Sequence, residues 1–133
     1  MKKFDIVVPV VAYKYDELTP GRRTLVDMAR EASSRAYAPY SRFSVGAAIR
    51  LDNGEIVTGS NQENAAFPSG LCAERTAAYY AHSRFPDARF EAIAIAAIDT
   101  TGHEIAVPVA PCGACRQALT EYEKLAGHDV EVI

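Results

Sequence analysis

All three cysteines of the chain fall where helices are predicted to begin, one in Cys72-Ala73-Glu74 and two in Pro111-Cys112-Gly113-Ala114-Cys115. The pairing constrains the fold, because two helix starts far apart in sequence have to converge if their thiols are to share one ion. Cys112 and Cys115 are three apart, so both lie on one side of a first helical turn, with Cys72 arriving from the other helix. A structural zinc site closes its tetrahedron with four protein ligands, whereas a catalytic site keeps three and leaves one position for water. Three thiolates beside one carboxylate, Glu74, fit the open pattern. Helix starts also present unpaired N–H groups and the positive dipole end, which should lower the pKa of each thiol. Zinc lowers the pKa of bound water to about 7, and a carboxylate nearby can take the proton and return it elsewhere. Glu74 suits that task. Three thiolates leave the site net negative, and Arg75 is the nearest cation to temper them.

The remaining elements say how the two helix starts are carried. Thr19-Pro20 reads as a helix start, followed by Leu25, Met28, Ala29, Ala32 and Ala36 at helical spacing, which predicts a helix over 22–36. Phe43 to Leu51 and Ile56 to Asn61 flank Asp52-Asn53-Gly54, a hairpin signal since Asn and Gly tolerate positive φ. Residues 72–84 read as a second helix and Phe90 to Ile98 as a strand. His103 to Val109 is expected to be extended, Pro111 to Leu125 helical, and Val130 to Ile133 a last strand. Helical crossovers around a hairpin predict a three-layer α/β/α domain with a mixed β-sheet. The domain is expected over residues 19–133, with 1–18 as an N-terminal extension that could add an edge strand.

Composition narrows the partners. The chain has 133 residues, 49% of them apolar, enough for one core without disulfides. An odd cysteine count and no signal-like start favour a reducing, cytoplasmic setting. The apolar stretch from Phe4 to Tyr13 is too short to span a bilayer and is broken by Asp5 and Pro9. Seventeen acidic against fourteen basic residues argue against a nucleic-acid partner and favour a small neutral substrate.

Through Cys72-Ala73-Glu74-Arg75-Thr76 and Pro111-Cys112-Gly113-Ala114-Cys115-Arg116-Gln117 the chain resembles the cytidine deaminase family, in its small form with three cysteine ligands to zinc. The likeness extends through Tyr37-Ala38-Pro39-Tyr40-Ser41-Arg42-Phe43-Ser44-Val45-Gly46-Ala47-Ala48 and Asn61-Gln62-Glu63-Asn64-Ala65-Ala66, covering roughly residues 22 to 133. It implies Zn2+ on Cys72, Cys112 and Cys115, with Glu74 carrying protons. It also implies Phe43 on the pyrimidine, Asn61 and Glu63 on the ribose 3′-hydroxyl, the Ala73 N–H on the base carbonyl, and Arg75 behind the thiolates. The implied reaction is hydrolytic deamination of cytidine and deoxycytidine in pyrimidine salvage, by a homotetramer. Family members usually continue past Val130–Ile133 with a further strand and helix, so the domain is expected to lack these. They often carry Tyr where Phe67 stands, which leaves contact with the 5′-hydroxyl open.

Other readings compete. Cys112-x-x-Cys115 alone could be a redox pair, and His103 or His128 could close a structural zinc site. Another aminopyrimidine nucleoside, such as the antibiotic blasticidin S, is the alternative substrate. A zinc-stabilised binding module without turnover is the alternative of a different class, and a polynucleotide deaminase is disfavoured by charge.

Overall fold

A computed structural model describes all residues, 1–133. Helix α1 covers Pro20–Ser33, and the Thr19 hydroxyl caps it by accepting the Arg22 N–H at 3.4 Å. Strands β1 (Ser44–Leu51) and β2 (Ile56–Ser60) form the hairpin, with Gly54 at φ 86° in its turn. Helix α2 (Ala73–Arg84), strand β3 (Phe90–Ile98), helix α3 (Gly113–Ala126) and the short strand β4 (Glu131–Val132) follow. The left-handed Gly127, φ 76°, ends α3.

The sheet runs β2-β1-β3-β4, antiparallel between β1 and each neighbour and parallel between β3 and β4. It is therefore mixed, and both crossovers run through helices, as the alternation of patterns predicts. Apart from Phe90, which lies beyond the register shift at Arg50 and Leu51, strand residues divide by parity between two cores. Ala47, Ile49, Leu51 and Ile93 join α2 and α3 through Ala73, Ala77, Ala81, Leu119 and Tyr122 on one face. Ala48, Ala92, Ala94 and Ala96 meet Leu25 and Ala29 of α1 on the other. That makes the three layers.

Two glycines fix how closely the helices approach. A Cβ on Gly46 would stand 2.0 Å from the Ala29 carbonyl oxygen of α1, and one on Gly59 would stand 2.5 Å from the Ala77 nitrogen of α2. Only hydrogen fits at either point.

The stretch from His103 to Val109 joins the sheet at a single bridge, Ile98 to Glu104, after a turn in which the Asp99 carboxylate accepts the N–H groups of Thr101 and His103. One expectation is corrected. Residues 1–13 form no edge strand; they carry no regular structure, and Phe4, Ile6, Val7 and Val8 are exposed. The segment is tethered behind them, where Tyr13 lies against the Arg22 guanidinium and the Tyr15 hydroxyl donates to Asp27 at 2.6 Å. Arg22 pairs in turn with Glu131 of β4.

Candidate active site

The starts of α2 and α3 meet at one end of the sheet. Cys72 is the residue before α2 and Cys112 the residue before α3, whose sulfur accepts the Cys115 N–H at 3.4 Å. The three Sγ atoms lie within 4.8 Å of one another, and Cys72 and Cys112 are 3.8 Å apart. A tetrahedral ion with Zn–S bonds of about 2.3 Å requires S···S edges of about 3.8 Å, so the spacing suits zinc. Neither His103 nor His128 joins the cluster. His103 is engaged with Thr101, and His128 with the Asp129 carbonyl.

Electrostatics differ among the thiols. Cys112 is lowered below the usual thiol range, first by the Cys115 N–H, as expected for a helix start. Cys115 goes the other way: burial pushes its thiol up, and the neighbouring Glu74 charge adds to the effect. The helix start does not compensate a wholly buried sulfur beside a carboxylate. A cation is what would bring Cys115 to thiolate there.

Arg75 supplies part of that positive charge. Its guanidinium donates to Cys72 Sγ at 3.7 Å, and its own pKa is raised, first by Cys72 and then by Cys115. Its Nε is buried without a hydrogen-bond partner, so the group is committed to the sulfurs at the cost of one unsatisfied donor. Glu74 is buried within the first turn of α2, and Ala73 beside it is fully buried.

The other expected residues lie on the segments that enter β1 and leave β2. Phe43 is half-buried just before β1, and Asn61 and Glu63 follow β2. Their polar groups already serve the chain. Asn61 accepts the Val45 N–H at 2.7 Å and donates to the Phe43 carbonyl at 2.9 Å, while Glu63 accepts the Tyr40 N–H at 2.8 Å. Hydrogen bonding from Ser41, with the Tyr40 amide, holds the Glu63 carboxyl below the usual carboxylate range. Sequence reasoning did not find these contacts, since they depend on a bridge between Tyr37 and Gln62 that no periodicity signals. Phe67 is fully exposed in a short turn before α2.

The family model of the cytidine and deoxycytidylate deaminase zinc-binding region matches residues 21–126, which include both cysteine clusters. The chain belongs to the cytidine deaminase family. It is 44% identical over 100 residues to the cytidine deaminase of Halalkalibacterium halodurans, covering 75% of this chain and 70% of that one. It is 41% identical over 105 residues to that of Mycobacterium tuberculosis, covering 77% and 74%. Among solved structures, cytidine deaminase from Burkholderia pseudomallei superposes with a TM-score of 0.68 at 40% identity, over 80% of this chain and 79% of that one. The cytidine deaminase fold and the zinc-binding character of the family thus coincide here with a thiol cluster of zinc dimensions. No helix is long and apolar enough to cross a membrane.

Proposed function

We propose that this chain is a zinc-dependent hydrolase that deaminates cytidine and deoxycytidine to uridine and deoxyuridine. The observation that carries the reading is the meeting of two helix starts, with three sulfurs within 4.8 Å of one another and a buried glutamate one residue inside α2. Cys72, Cys112 and Cys115 would hold Zn2+, which when bound supplies a Lewis acid and a water of lowered pKa.

The chain's own groups do the rest. Glu74 takes the proton of the attacking water, gives it to N3 of the pyrimidine, and then serves the departing amino group, so that water is consumed and ammonia released. The backbone N–H of Ala73 donates to the base carbonyl, and Phe43 packs on the ring. Asn61 and Glu63 each keep hydrogen-bonding capacity beyond their backbone contacts, and with it they take the ribose 3′-hydroxyl. Arg75 offsets the charge of the thiolates, keeping the cluster from becoming too electron-rich.

The domain over 19–133, with 1–18 as an extension, is part of the same reading, as are a homotetrameric assembly, a cytoplasmic setting and a role in pyrimidine salvage. The test is ammonia release, with ultraviolet detection of uridine, by zinc-loaded protein given cytidine, deoxycytidine or blasticidin S. Turnover of the first two that disappears in Glu74→Gln is the expected result. Turnover of blasticidin S alone, or undiminished turnover in Glu74→Gln, overturns the assignment.

A further inference from the structure

The turn that carries Phe43 is held in a conformation its own sequence disfavours. Arg42, immediately before Phe43, has φ 53° and is the only non-glycine residue with positive φ. In that region the Cβ crowds the following carbonyl, and such residues persist where the surroundings over-determine them. Here the surroundings are residues 61–63. The Tyr37 N–H donates to the Asn61 carbonyl at 2.9 Å, and the Glu63 N–H donates to the Tyr37 carbonyl at 2.8 Å. At the tip, the Glu63 carboxylate accepts the Tyr40 N–H at 2.8 Å and the Ser41 N–H at 3.3 Å. At the far end, Asn61 holds both the Phe43 carbonyl and the Val45 N–H. Within the turn the Arg42 N–H donates to the Ala38 carbonyl at 2.9 Å and the Phe43 N–H to the Ser41 hydroxyl at 3.1 Å. Start, tip and end of the turn are also tied to one three-residue segment, and the one charged group that reaches the tip is the Glu63 carboxylate.

We propose that Glu63 is a positioning residue, whose carboxylate holds the 38–43 turn around the left-handed Arg42 and so fixes where Phe43 enters β1. This role is additional to any contact with the ribose. Its activity arm rests on the reading that Phe43 meets the pyrimidine, whereas its structural arm does not.

Two arms test it on the zinc-loaded protein. In the first, amide hydrogen exchange at Tyr40 and Ser41 is measured without substrate in wild type and Glu63→Gln. Protection should fall by about tenfold or more, the scale of a lost charge-assisted hydrogen bond. In the second, kcat and KM are measured for cytidine and for 3′-deoxycytidine, which has no 3′-hydroxyl. Glu63→Gln should lower kcat/KM for 3′-deoxycytidine as well. Adding Arg42→Gly, which removes the conformational penalty, should restore much of that loss. Unchanged protection overturns the proposal, as does a loss confined to cytidine or a double variant no better than Glu63→Gln alone. Absence of turnover in the wild type would instead overturn the functional reading, with the exchange arm still reporting on the clamp.

Discussion

The two faces of the sheet are built to different ends. On the α1 side the strands present Ala48, Ala92, Ala94 and Ala96, and Gly46 lets the helix backbone press against the sheet. On the α2/α3 side they present Ile49, Leu51 and Ile93, with Phe90 stacked on Tyr122 at 4.4 Å between ring centroids. The first face gains stability by closeness and carries no group of the site. The second uses bulkier side chains to hold two helices whose starts must meet within ångströms. Packing there is also site geometry, so the same kind of damage should read out differently on the two faces.

Glu74→Gln should have the largest effect and should separate chemistry from packing. The amide keeps the volume of the buried side chain but cannot carry the proton, so kcat should fall by about 100-fold to 10,000-fold. Zinc content and melting temperature should stay near wild type. A large loss of stability would mean that the carboxylate is part of the packing after all.

Alanine at the two glycines comes next and tests the comparison directly. In Gly46→Ala the new methyl meets the backbone of α1, with the Ala29 carbonyl oxygen at 2.0 Å and the Ser33 nitrogen at 2.4 Å, and neither can rotate away. Overpacking of this kind costs about 1–3 kcal/mol or more, measurable by urea unfolding. Zinc affinity of the molecules that remain folded should hardly change. In Gly59→Ala the methyl meets the Ala77 nitrogen at 2.5 Å and the Ala73 carbonyl oxygen at 2.9 Å, so α2 has to shift at the turn that carries Cys72 and Glu74. A similar loss of stability should then be joined by weaker zinc binding and lower kcat. Equal zinc affinity in the two variants would break the contrast between the faces.

Arg75→Met sharpens the electrostatic side. Removing the guanidinium takes from Cys115 a cation that favours its charged form, so the pKa of that thiol should rise further. Zinc binding requires deprotonated thiols, so it is lost as pH falls, and in Arg75→Met that loss should begin at a higher pH. Affinity at neutral pH should drop by about 10–100-fold, the usual scale for groups behind metal ligands. A chelator competition assay across pH reads both quantities. An unmoved profile would assign Arg75 to packing alone.

What the sequence made legible follows the same division. Helix and strand periods, the Asn53-Gly54 turn and the Thr19 cap are local signals, and the elements they predict are present with ends shifted by a few residues. The cysteine spacing also carried its geometry, since residues three apart at a helix start can face only one way. Illegible were features that need a partner distant along the chain. The left-handed Arg42 has no glycine or asparagine to announce it, and its turn is bonded to Glu63 and Asn61, some twenty residues away along the chain. The rise in the Cys115 pKa depends on how fully α3 buries it. The close approaches at Gly46 and Gly59 look in sequence like ordinary weak points in strands.

The smallest effect should come from the region outside both cores. Residues 1–13 form no element, and their apolar side chains face solvent. Removing residues 1–12 keeps Tyr13 on the Arg22 guanidinium and Tyr15 on Asp27, the contacts that tether this end to α1. No buried contact is lost, so the unfolding free energy should change by less than about 0.5 kcal/mol, as for surface changes in general. kcat/KM should be unchanged, since the starts of α2 and α3 are held by the opposite face of the sheet. A larger destabilisation would show that the apolar alternation from Phe4 to Val11 is covered in solution. The way in which it failed would locate the cover: loss of melting temperature at all protein concentrations points to contacts within one chain, whereas a loss seen only at high concentration points to contacts between chains.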